Sequence, residues 1–308
     1  MDVVATVDQN LSAKRPSSFS GRLAGLLYAR RTKVNGWRGV IGGVRGRKGC
    51  SGPLSGPPAN AMTFDVDSCG DGPLRALSVL RNRPPALAPV LEAVLRPGDC
   101  FFEVGANIGA YTLWAAGLVG QTGQVHVFEP VPARAAVLER MVRRNRLEQV
   151  FLACTAVGSA VGETGIRRNS GASDLAHMVD GAEADPVAVV TNLDAYAEKH
   201  PRPVLVKIDA ERVELEVLRG AANLLSECGP ALLLGWVPSH PARRRVSQAE
   251  LMEVLAQAGY QVFNLTRWGL AASGPFSSNV LAMTPQWERF AQVVSLLERT
   301  SFPRNQTT

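Results

Sequence analysis

The chain has 308 residues, of which 46% are hydrophobic, so it is long enough for one large globular domain or two small ones. Its net charge of +6 is uneven, because residues 1–61 carry ten Lys or Arg residues against two Asp. Residues 62–308 carry 23 basic and 25 acidic residues, which disfavours a nucleic-acid-binding surface there. No apolar run approaches the ~18 residues that span a bilayer, so no transmembrane segment is predicted.

The first 61 residues are rich in Gly, Arg, Pro and Ser and lack an apolar period long enough for a stable helix. We therefore predict a disordered basic leader over residues 1–61 and one domain over residues 62–308. Such a leader is typical of a targeting peptide or a membrane-surface tether. The alternative is that translation naturally begins at Met62.

The five cysteines and four histidines show no metal-binding or disulfide motif. Cys100 and Cys154 fall within apolar, strand-like runs, where a thiol behaves as a small hydrophobe. No CxxC or HxxxH spacing occurs, so no metal site is predicted. This cysteine usage predicts a reduced, cytoplasmic protein.

From about residue 90, short apolar runs alternate with helical patterns. Apolar runs predict consecutive strands over 100–104, 124–129, 150–154, 204–209 and 231–236. Helical patterns cover 110–118, 133–145 and 213–227, and the last of these places Leu215, Leu218, Ala222 and Leu225 at core spacing. Ser247 and Glu250 form a capping-box signature for a fourth helix, before two closing strands over 260–265 and 279–283 that could pair antiparallel. The alternation predicts an α/β fold with a mostly parallel sheet.

The first predicted strand ends in an acid that is followed by two glycines four residues apart, in EVGANIG. Ligands of parallel sheets bind beyond the carboxyl ends of the strands, and glycines permit close backbone approach. Glu103 and Gly105 fall at that edge, and Gly109 opens the following helix. Glu129 ends the second strand, 24 residues after Gly105, close to the ~20-residue offset of an acid that holds ribose hydroxyls. Together these residues predict a nucleoside ligand.

The pattern favours S-adenosylmethionine over a dinucleotide. A dinucleotide fingerprint needs G-x-G-x-x-G, and Ala106 and Asn107 stand where the second glycine should fall. S-adenosylmethionine has a ribose but no phosphate, and its positively charged amino-acid end suits an acid before the first glycine. Two alternatives stay open, which are a cofactor-binding protein without catalysis and a nicotinamide-dependent oxidoreductase. A nucleic-acid methyltransferase is disfavoured, because no D/N-P-P-Y/F element is present.

Five sequence pieces, in order, resemble the FkbM family of S-adenosylmethionine-dependent methyltransferases over about residues 95–285. The pieces are EVGANIGAYT, FEP, TAVGSAVGETG, VVTNLDAYA and VKIDAERVELEVLRGA. The resemblance implies a Rossmann-like class I methyltransferase fold, with a mostly parallel seven-stranded sheet and helices on both faces. It also implies O-methylation of a hydroxyl group on a sugar, a polyketide or a similar small molecule.

The resemblance also implies which residues hold the cofactor. The methionyl part would be wrapped by Glu103, Gly105, Ala106, Asn107 and Gly109. Glu129, which Pro130 follows, would accept hydrogen bonds from the ribose hydroxyls. Ala156 and Val157, after the third strand, would lie near the adenine.

Three residues are candidates for catalysis. Asp209, at the tip of the fourth strand, would face the transferring methyl group, with Glu211 two residues later. Alternatively, both acids and Glu214 form a solvated, acidic start of a helix. His177, in GASDLAHMVDG, is a candidate catalytic base on a loop over the pocket.

Two positions depart from the family pattern on the acceptor side. Arg212 stands where the family has Gly in D-x-E-G, and we expect it to narrow or recharge the acceptor pocket. Gly235 stands where the fifth strand usually ends in Glu. The next residue, Trp236, could offer a flat stacking face or belong to the core. We therefore expect an intact cofactor side and an altered acceptor side.

Overall fold

The computed structural model describes residues 52–53, 63–64, 86–168, 176–179, 187–210, 213–236, 247–266, 269–272, 276, 279–298, 300 and 302. The strands in these ranges are β1 (Gly52–Pro53), β2 (Thr63–Phe64), β3 (Cys100–Val104), β4 (Gln124–Phe128), β5 (Val150–Ala153), β6 (Ala156–Val157), β7 (Gly162–Arg168), β8 (Ala176–Val179), β9 (Val187–Thr191), β10 (Leu205–Ile208), β11 (Ala231–Gly235), β12 (Gln261–Thr266), β13 (Gly269–Ala271) and β14 (Asn279–Met283). The helices are α1 (Ala88–Val94), α2 (Ala110–Val119), α3 (Pro132–Arg144), α4 (Leu193–Ala197), α5 (Glu214–Arg219), α6 (Ala222–Cys228), α7 (Gln248–Gln257) and α8 (Phe290–Leu297).

The main sheet of the described part has the strand order β13-β12-β14-β11-β10-β3-β4-β5. Strands β11, β10, β3, β4 and β5 run parallel, whereas β14 and β12 close the sheet with antiparallel pairs. These seven strands confirm the prediction of a Rossmann-like, mostly parallel sheet. The sheet has an eighth strand, β13, which the sequence analysis missed because three residues are too few to show an alternating pattern.

Alternate residues of the central strands face two separate layers of helices. Phe101 of β3 packs in a cluster with buried residues of α1, α2, α3 and α8. Its neighbour Phe102 packs with buried residues of α4, α5, α6 and α7. Because both faces of β3 are covered, all five of its residues are buried, which explains its continuous apolar run. Helices therefore cover both faces of the sheet, as predicted.

The predicted helix over 213–227 is two helices, α5 and α6, which are separated at Gly220. In a continuous helix the Leu224 amide would donate to the Gly220 carbonyl, but it donates to Asp194 Oδ1, and the Gly220 carbonyl accepts from the Asp194 amide at 3.0 Å. The break changes the buried face, because Ala222 is exposed and Ala221 is buried instead. The other three predicted core positions, Leu215, Leu218 and Leu225, are buried.

Four shorter strands form a second sheet in the order β6-β9-β7-β8. Strand β1 lies within the predicted leader and pairs antiparallel with β2, while residues 1–51 lie outside the described ranges. Cys100 is buried as expected, but Cys154 is exposed because it follows the end of β5. Of the helices in the described ranges, none is long and apolar enough to cross a membrane.

Asp194 joins helix α4 to the start of helix α6. Its carboxylate accepts hydrogen bonds from the backbone N–H groups of Asn223, at 3.0 Å, and Leu224, at 2.8 Å. These N–H groups belong to the first turn of α6, where helical backbone donors have no partner within the helix. The negative charge also suits the positive end of the helix dipole. Asp194 therefore supplies the N-terminal cap that α6 lacks at its own N-cap residue, Ala221.

Replacing Asp194 should therefore weaken the fold. We expect Asp194→Ala to lower the free energy of unfolding by about 1–3 kcal/mol, because two hydrogen bonds to a charged group are lost. Urea denaturation followed by circular dichroism measures this change. The matched control is Glu198→Ala, at the exposed end of α4, which should change stability by less than about 0.5 kcal/mol. Equal effects of the two substitutions would contradict the capping role.

Candidate active site

The loop between β3 and α2 lies at the carboxyl edge of the parallel strands and has left-handed backbone at Gly105 (φ +78°), Asn107 (φ +53°) and Gly109 (φ +83°). The amides of Gly105 and Ala106 donate to the carbonyl oxygen of Phe128, at 3.0 and 3.3 Å, which ties the loop to the end of β4. A side chain at Gly105 would collide with the backbone carbonyl of Asp209, just after β10. Three strand ends therefore meet at this loop.

The carboxylate of Glu129, just after β4, closes one side of the loop. Its Oε2 atom accepts a hydrogen bond from the Asn107 amide at 2.8 Å, and its Oε1 atom accepts one from the Val131 amide at 3.0 Å. Burial raises the pKa of Glu129, and the Arg134 guanidinium, 3.9 Å from Oε1, opposes that rise together with the two amides. A carboxylate has about four acceptor positions, so Glu129 could still accept hydrogen bonds from ligand hydroxyls.

Glu103, at the end of β3, is fully buried and is only partly satisfied. Thr112 Oγ1 donates to Glu103 Oε2 at 2.5 Å, whereas Oε1 has no hydrogen-bond partner among the residues that the structure describes. Burial raises the pKa of Glu103 to about 7, and Lys207 and the Thr112 hydroxyl oppose the rise. An unpaired buried acceptor costs about 1–3 kcal/mol, so the site favours a ligand that brings a donor to Oε1.

Lys207 is a site residue that the sequence analysis missed. It lies beside Glu103 in the register of β10 and β3, and only 3% of its side chain is exposed. Its ammonium nitrogen is 3.3 Å from Asp209 Oδ2 and 4.8 Å from the centre of the Tyr111 ring. The available signal was a single cation inside the apolar run VLVKID, because lysine is almost never fully buried without a partner.

Asp209 directly follows β10, and half of its side chain is exposed. Its amide donates to the carbonyl oxygen of Val104 at 3.0 Å, which extends the pairing of β10 with β3. A side chain at Gly235, the last residue of β11, would collide with Asp209 Oδ1. Trp236 is buried and contacts Phe276 edge to face, with the ring centres 5.6 Å apart, so it belongs to the core and is not a stacking face.

The other predicted site residues are placed as follows. Pro130 follows Glu129, and Ala156 and Val157 are buried in β6, which pairs with β9. His177 lies in strand β8, opposite Arg167 of β7, and not on a loop as predicted. Glu211 and Arg212, and the side chain of His177, lie outside the described part of the structure.

Glu214 does not belong to a solvated helix start, because it is buried in the first turn of α5. This burial corrects one alternative reading of the acidic segment after β10. In the described part of the structure, the charged groups around the glycine loop are the carboxylates of Glu103, Glu129 and Asp209 and the cations of Lys207 and Arg134. The carboxylates suit a ligand that carries a positively charged group.

Comparison with known proteins identifies a family. Residues 103–262 match the family model for the methyltransferase FkbM domain, which is more than half of the chain. The 31-O-demethyl-FK506 methyltransferase FkbM of Streptomyces tacrolimicus is 33% identical over 165 residues. That match covers 42% of this chain and 62% of the relative, so the chain spans less than two thirds of the relative's length.

Two solved structures are also similar. The methyltransferase FkbM from Methylobacillus flagellatus has a TM-score of 0.43 at 18% identity, over 62% of this chain and 48% of that chain. The O-methyltransferase from Bacillus cereus, in complex with SAH, has a TM-score of 0.39 at 15% identity, over 69% of this chain and 87% of that chain. Both TM-scores lie below 0.5, so these similarities say nothing about the activity of this chain.

The family match begins at Glu103, the acid before the glycine loop, and ends within β12. It therefore includes the loop itself, Glu129, Lys207 and Asp209, together with the parallel strands that carry them. The chain belongs to the FkbM family of S-adenosylmethionine-dependent methyltransferases.

Proposed function

We propose that this chain transfers a methyl group from S-adenosylmethionine to a hydroxyl oxygen of a small molecule, such as a sugar or a polyketide. The observation that carries the proposal is the pair of buried acids, Glu103 and Glu129, on either side of a glycine loop at the carboxyl edge of the sheet. Family membership supports methyl transfer. The relative from Streptomyces is named for an O-methylation, which supports an oxygen as the acceptor.

The residues of the loop fit the proposed cofactor. The unpaired Oε1 atom of Glu103 would receive the N–H donors of the α-ammonium group, and Glu129 would receive the ribose hydroxyls. The methionyl part would lie along the backbone of Gly105, Ala106, Asn107 and Gly109. The adenine would lie beyond Pro130, near Ala156 and Val157.

The same charges disfavour a nicotinamide dinucleotide. A pyrophosphate would bring negative charge to a loop that is flanked by the carboxylates of Glu103 and Glu129, and the cation of Lys207 already has the carboxylate of Asp209 as its hydrogen-bond partner. Like charges at such short range repel each other. The oxidoreductase alternative is therefore the weaker one.

The chemistry requires positioning and one proton acceptor. When bound, S-adenosylmethionine supplies an electrophilic methyl group, which the acceptor oxygen takes as the C–S bond breaks and the C–O bond forms. Asp209 would orient the acceptor hydroxyl and take its proton, because its half-exposed carboxylate lies at the tip of β10 beside the glycine loop. In-line positioning can supply ~7–11 kcal/mol, and a positioned base a further ~10²–10⁴-fold in rate. Glu211 and His177 remain secondary candidates.

We also propose that this activity resides in residues 62–308, with a core over about 95–285, and that the basic leader is dispensable for it. The uneven charge supports this division. The near-neutral charge of residues 62–308 supports a small-molecule acceptor and not a nucleic acid. The free thiols of Cys100, Cys154 and Cys228 support a reducing, cytoplasmic environment.

The ribose assignment is tested by removing the acid after β4. We expect Glu129→Ala to weaken the binding of S-adenosylhomocysteine by about 1.5–3 kcal/mol, or roughly 10- to 150-fold, because hydrogen bonds to a charged group are lost. Isothermal titration calorimetry measures the affinity, and a melting curve checks that the variant is folded. The control is Glu139→Ala on the exposed surface of α3, which should bind as the wild type does. Unchanged affinity in folded Glu129→Ala would remove the assignment.

Cofactor affinity should depend on the ionisation of Glu103. Because the pKa of this residue is about 7, its carboxyl is mostly protonated at pH 6 and mostly ionised at pH 8. Only the ionised form attracts the α-ammonium group, so the affinity for S-adenosylhomocysteine should rise about tenfold between these pH values. Calorimetry at several pH values measures the rise, which Glu103→Gln should abolish. The same pH slope in both proteins would show that another group is responsible.

The acceptor side is tested at Asp209. We expect Asp209→Asn to lower turnover by ~10²-fold while the affinity for S-adenosylhomocysteine stays within about threefold, because the amide cannot take the hydroxyl proton. The measurement is methyl transfer from labelled S-adenosylmethionine to a panel of methyl glycosides and hydroxylated macrolactones. Exposed Glu163→Gln on β7 is the control.

Two outcomes would contradict these assignments. If Asp209→Asn turns over as the wild type does, Asp209 is not the proton acceptor, and His177 is the next residue to replace. If the wild type binds S-adenosylhomocysteine tightly but methylates no acceptor in the panel, the chain is better described as a cofactor-binding protein without this activity.

A further inference from the structure

We propose that Lys207 is a positioning residue, which holds the Asp209 carboxylate against Gly235 so that its exposed side faces the acceptor hydroxyl. This inference rests on the proposed function, because it assigns the means by which the proton acceptor is kept in place. It assigns roles to two residues, Lys207 and Gly235, for which neither the motif pattern nor the family match provides one.

The buried ammonium group of Lys207 points toward Asp209. Lys207 lies within β10, between β3 and β11, and almost none of its side chain reaches solvent. Its Nζ atom is within hydrogen-bond distance of Asp209 Oδ2, at 3.3 Å, whereas Glu103 Oε1 is 3.9 Å away, too far for a hydrogen bond. A buried ammonium is costly without a paired and hydrogen-bonded anion, so Lys207 and Asp209 fix each other.

The absence of a side chain at Gly235 leaves space for the Asp209 carboxylate. The φ angle of Gly235 lies outside the left-handed region, so its backbone conformation does not demand glycine. Glycine is needed because of Asp209. A Cβ atom at residue 235 would collide with the Oδ1 atom of Asp209 and lie 2.9 Å from its Cγ atom. One carboxylate oxygen therefore lies against Gly235, while the other is held by Lys207.

The backbone of Asp209 is fixed as well. Its amide donates to Val104, and its carbonyl lies where Gly105 has no side chain. The carboxylate thus has a defined position relative to the glycine loop, and a misplacement of about 1 Å can cost ~10²-fold in rate. The other ionisable groups that sense this cluster are Glu103 of β3, Tyr111 of α2 and Glu129 after β4.

Gly235→Ala is the sharpest test, because the collision involves the end of a flexible side chain and leaves strand β11 free to form. We expect this variant to lower kcat and kcat/KM equally, by about tenfold or more, with an affinity for S-adenosylhomocysteine within about threefold of wild type. The matched control is Gly162→Ala, where an added Cβ meets open space and φ is not positive. It should behave as the wild type does.

Lys207 is tested by a pair of variants in the same labelled-methyl assay with methyl glycosides and hydroxylated macrolactones. Lys207→Met keeps the length of the side chain but removes the charge, and should lower kcat by about tenfold or more. Lys207→Arg keeps a cation that can bond Asp209, and should retain more activity than Lys207→Met. Equal activity of these two variants, or wild-type kcat in Gly235→Ala, would overturn the proposal.

A second measurement does not depend on turnover. With Asp209→Cys, the rate of iodoacetamide alkylation at residue 209 is followed against pH by peptide mass spectrometry, with and without Lys207→Met. A cation beside the introduced thiol stabilises its thiolate, so its pKa should be at least about half a unit lower when Lys207 is present. An equal pKa in both backgrounds would show that Lys207 does not hold residue 209.

The two measurements separate this inference from the proposed function. Binding of S-adenosylhomocysteine and methyl transfer by the wild type test the function. If both are absent, the function fails, and Lys207 loses its catalytic meaning even where the thiol shift is seen. If both are present but either the thiol shift or the loss in Gly235→Ala is absent, the function stands and the positioning role of Lys207 is overturned.

Discussion

The close approach of the Asp209 backbone to Gly105 is the constraint on which the site depends. The carbonyl after β10 occupies the space that a side chain after β3 would need, so two neighbouring strands end in direct contact. The amides of the same loop are hydrogen-bonded to the end of β4. This contact brings Asp209 and the glycine loop within a few ångströms of each other, although about a hundred residues separate them in sequence.

The buried charges follow from this packing. Helices cover both faces of the sheet and exclude water from Glu103 and Lys207. Each buried charge then depends on neighbouring residues for its ion pairs and hydrogen bonds. Lys207 satisfies Asp209 but leaves one oxygen of Glu103 without a donor. Among the described residues, the fold therefore contains a buried carboxylate oxygen that has a cation nearby but no hydrogen-bond donor. On the proposed function, a cofactor that brings a donor to this oxygen would therefore also stabilise the folded domain.

The sequence predicted the sheet well because its signals are local. Buried parallel strands are continuous apolar runs, and the acid and glycines after the first run predict the turn at its carboxyl end. The failures have different causes. The Gly220 carbonyl accepts a hydrogen bond from the Asp194 amide, 26 residues earlier in the chain, whereas the exposure of Cys154 depends on where β5 ends. The sequence shows Lys207 as a cation in an apolar run, but its position beside Glu103 follows only from the register of β10 against β3.

Gly235 shows that the space left by a departure from a motif can be occupied by another residue of the chain. The resemblance implied a glutamate at the end of the fifth strand, and Gly235 there suggested a missing group. In the structure the vacant space is filled by the Asp209 carboxylate, which Lys207 holds from the other side. A side chain at residue 235 would have to share this space with the Asp209 carboxylate and would move it. Glycine at the end of β11 therefore fixes where the carboxylate that follows β10 can lie beside the glycine loop.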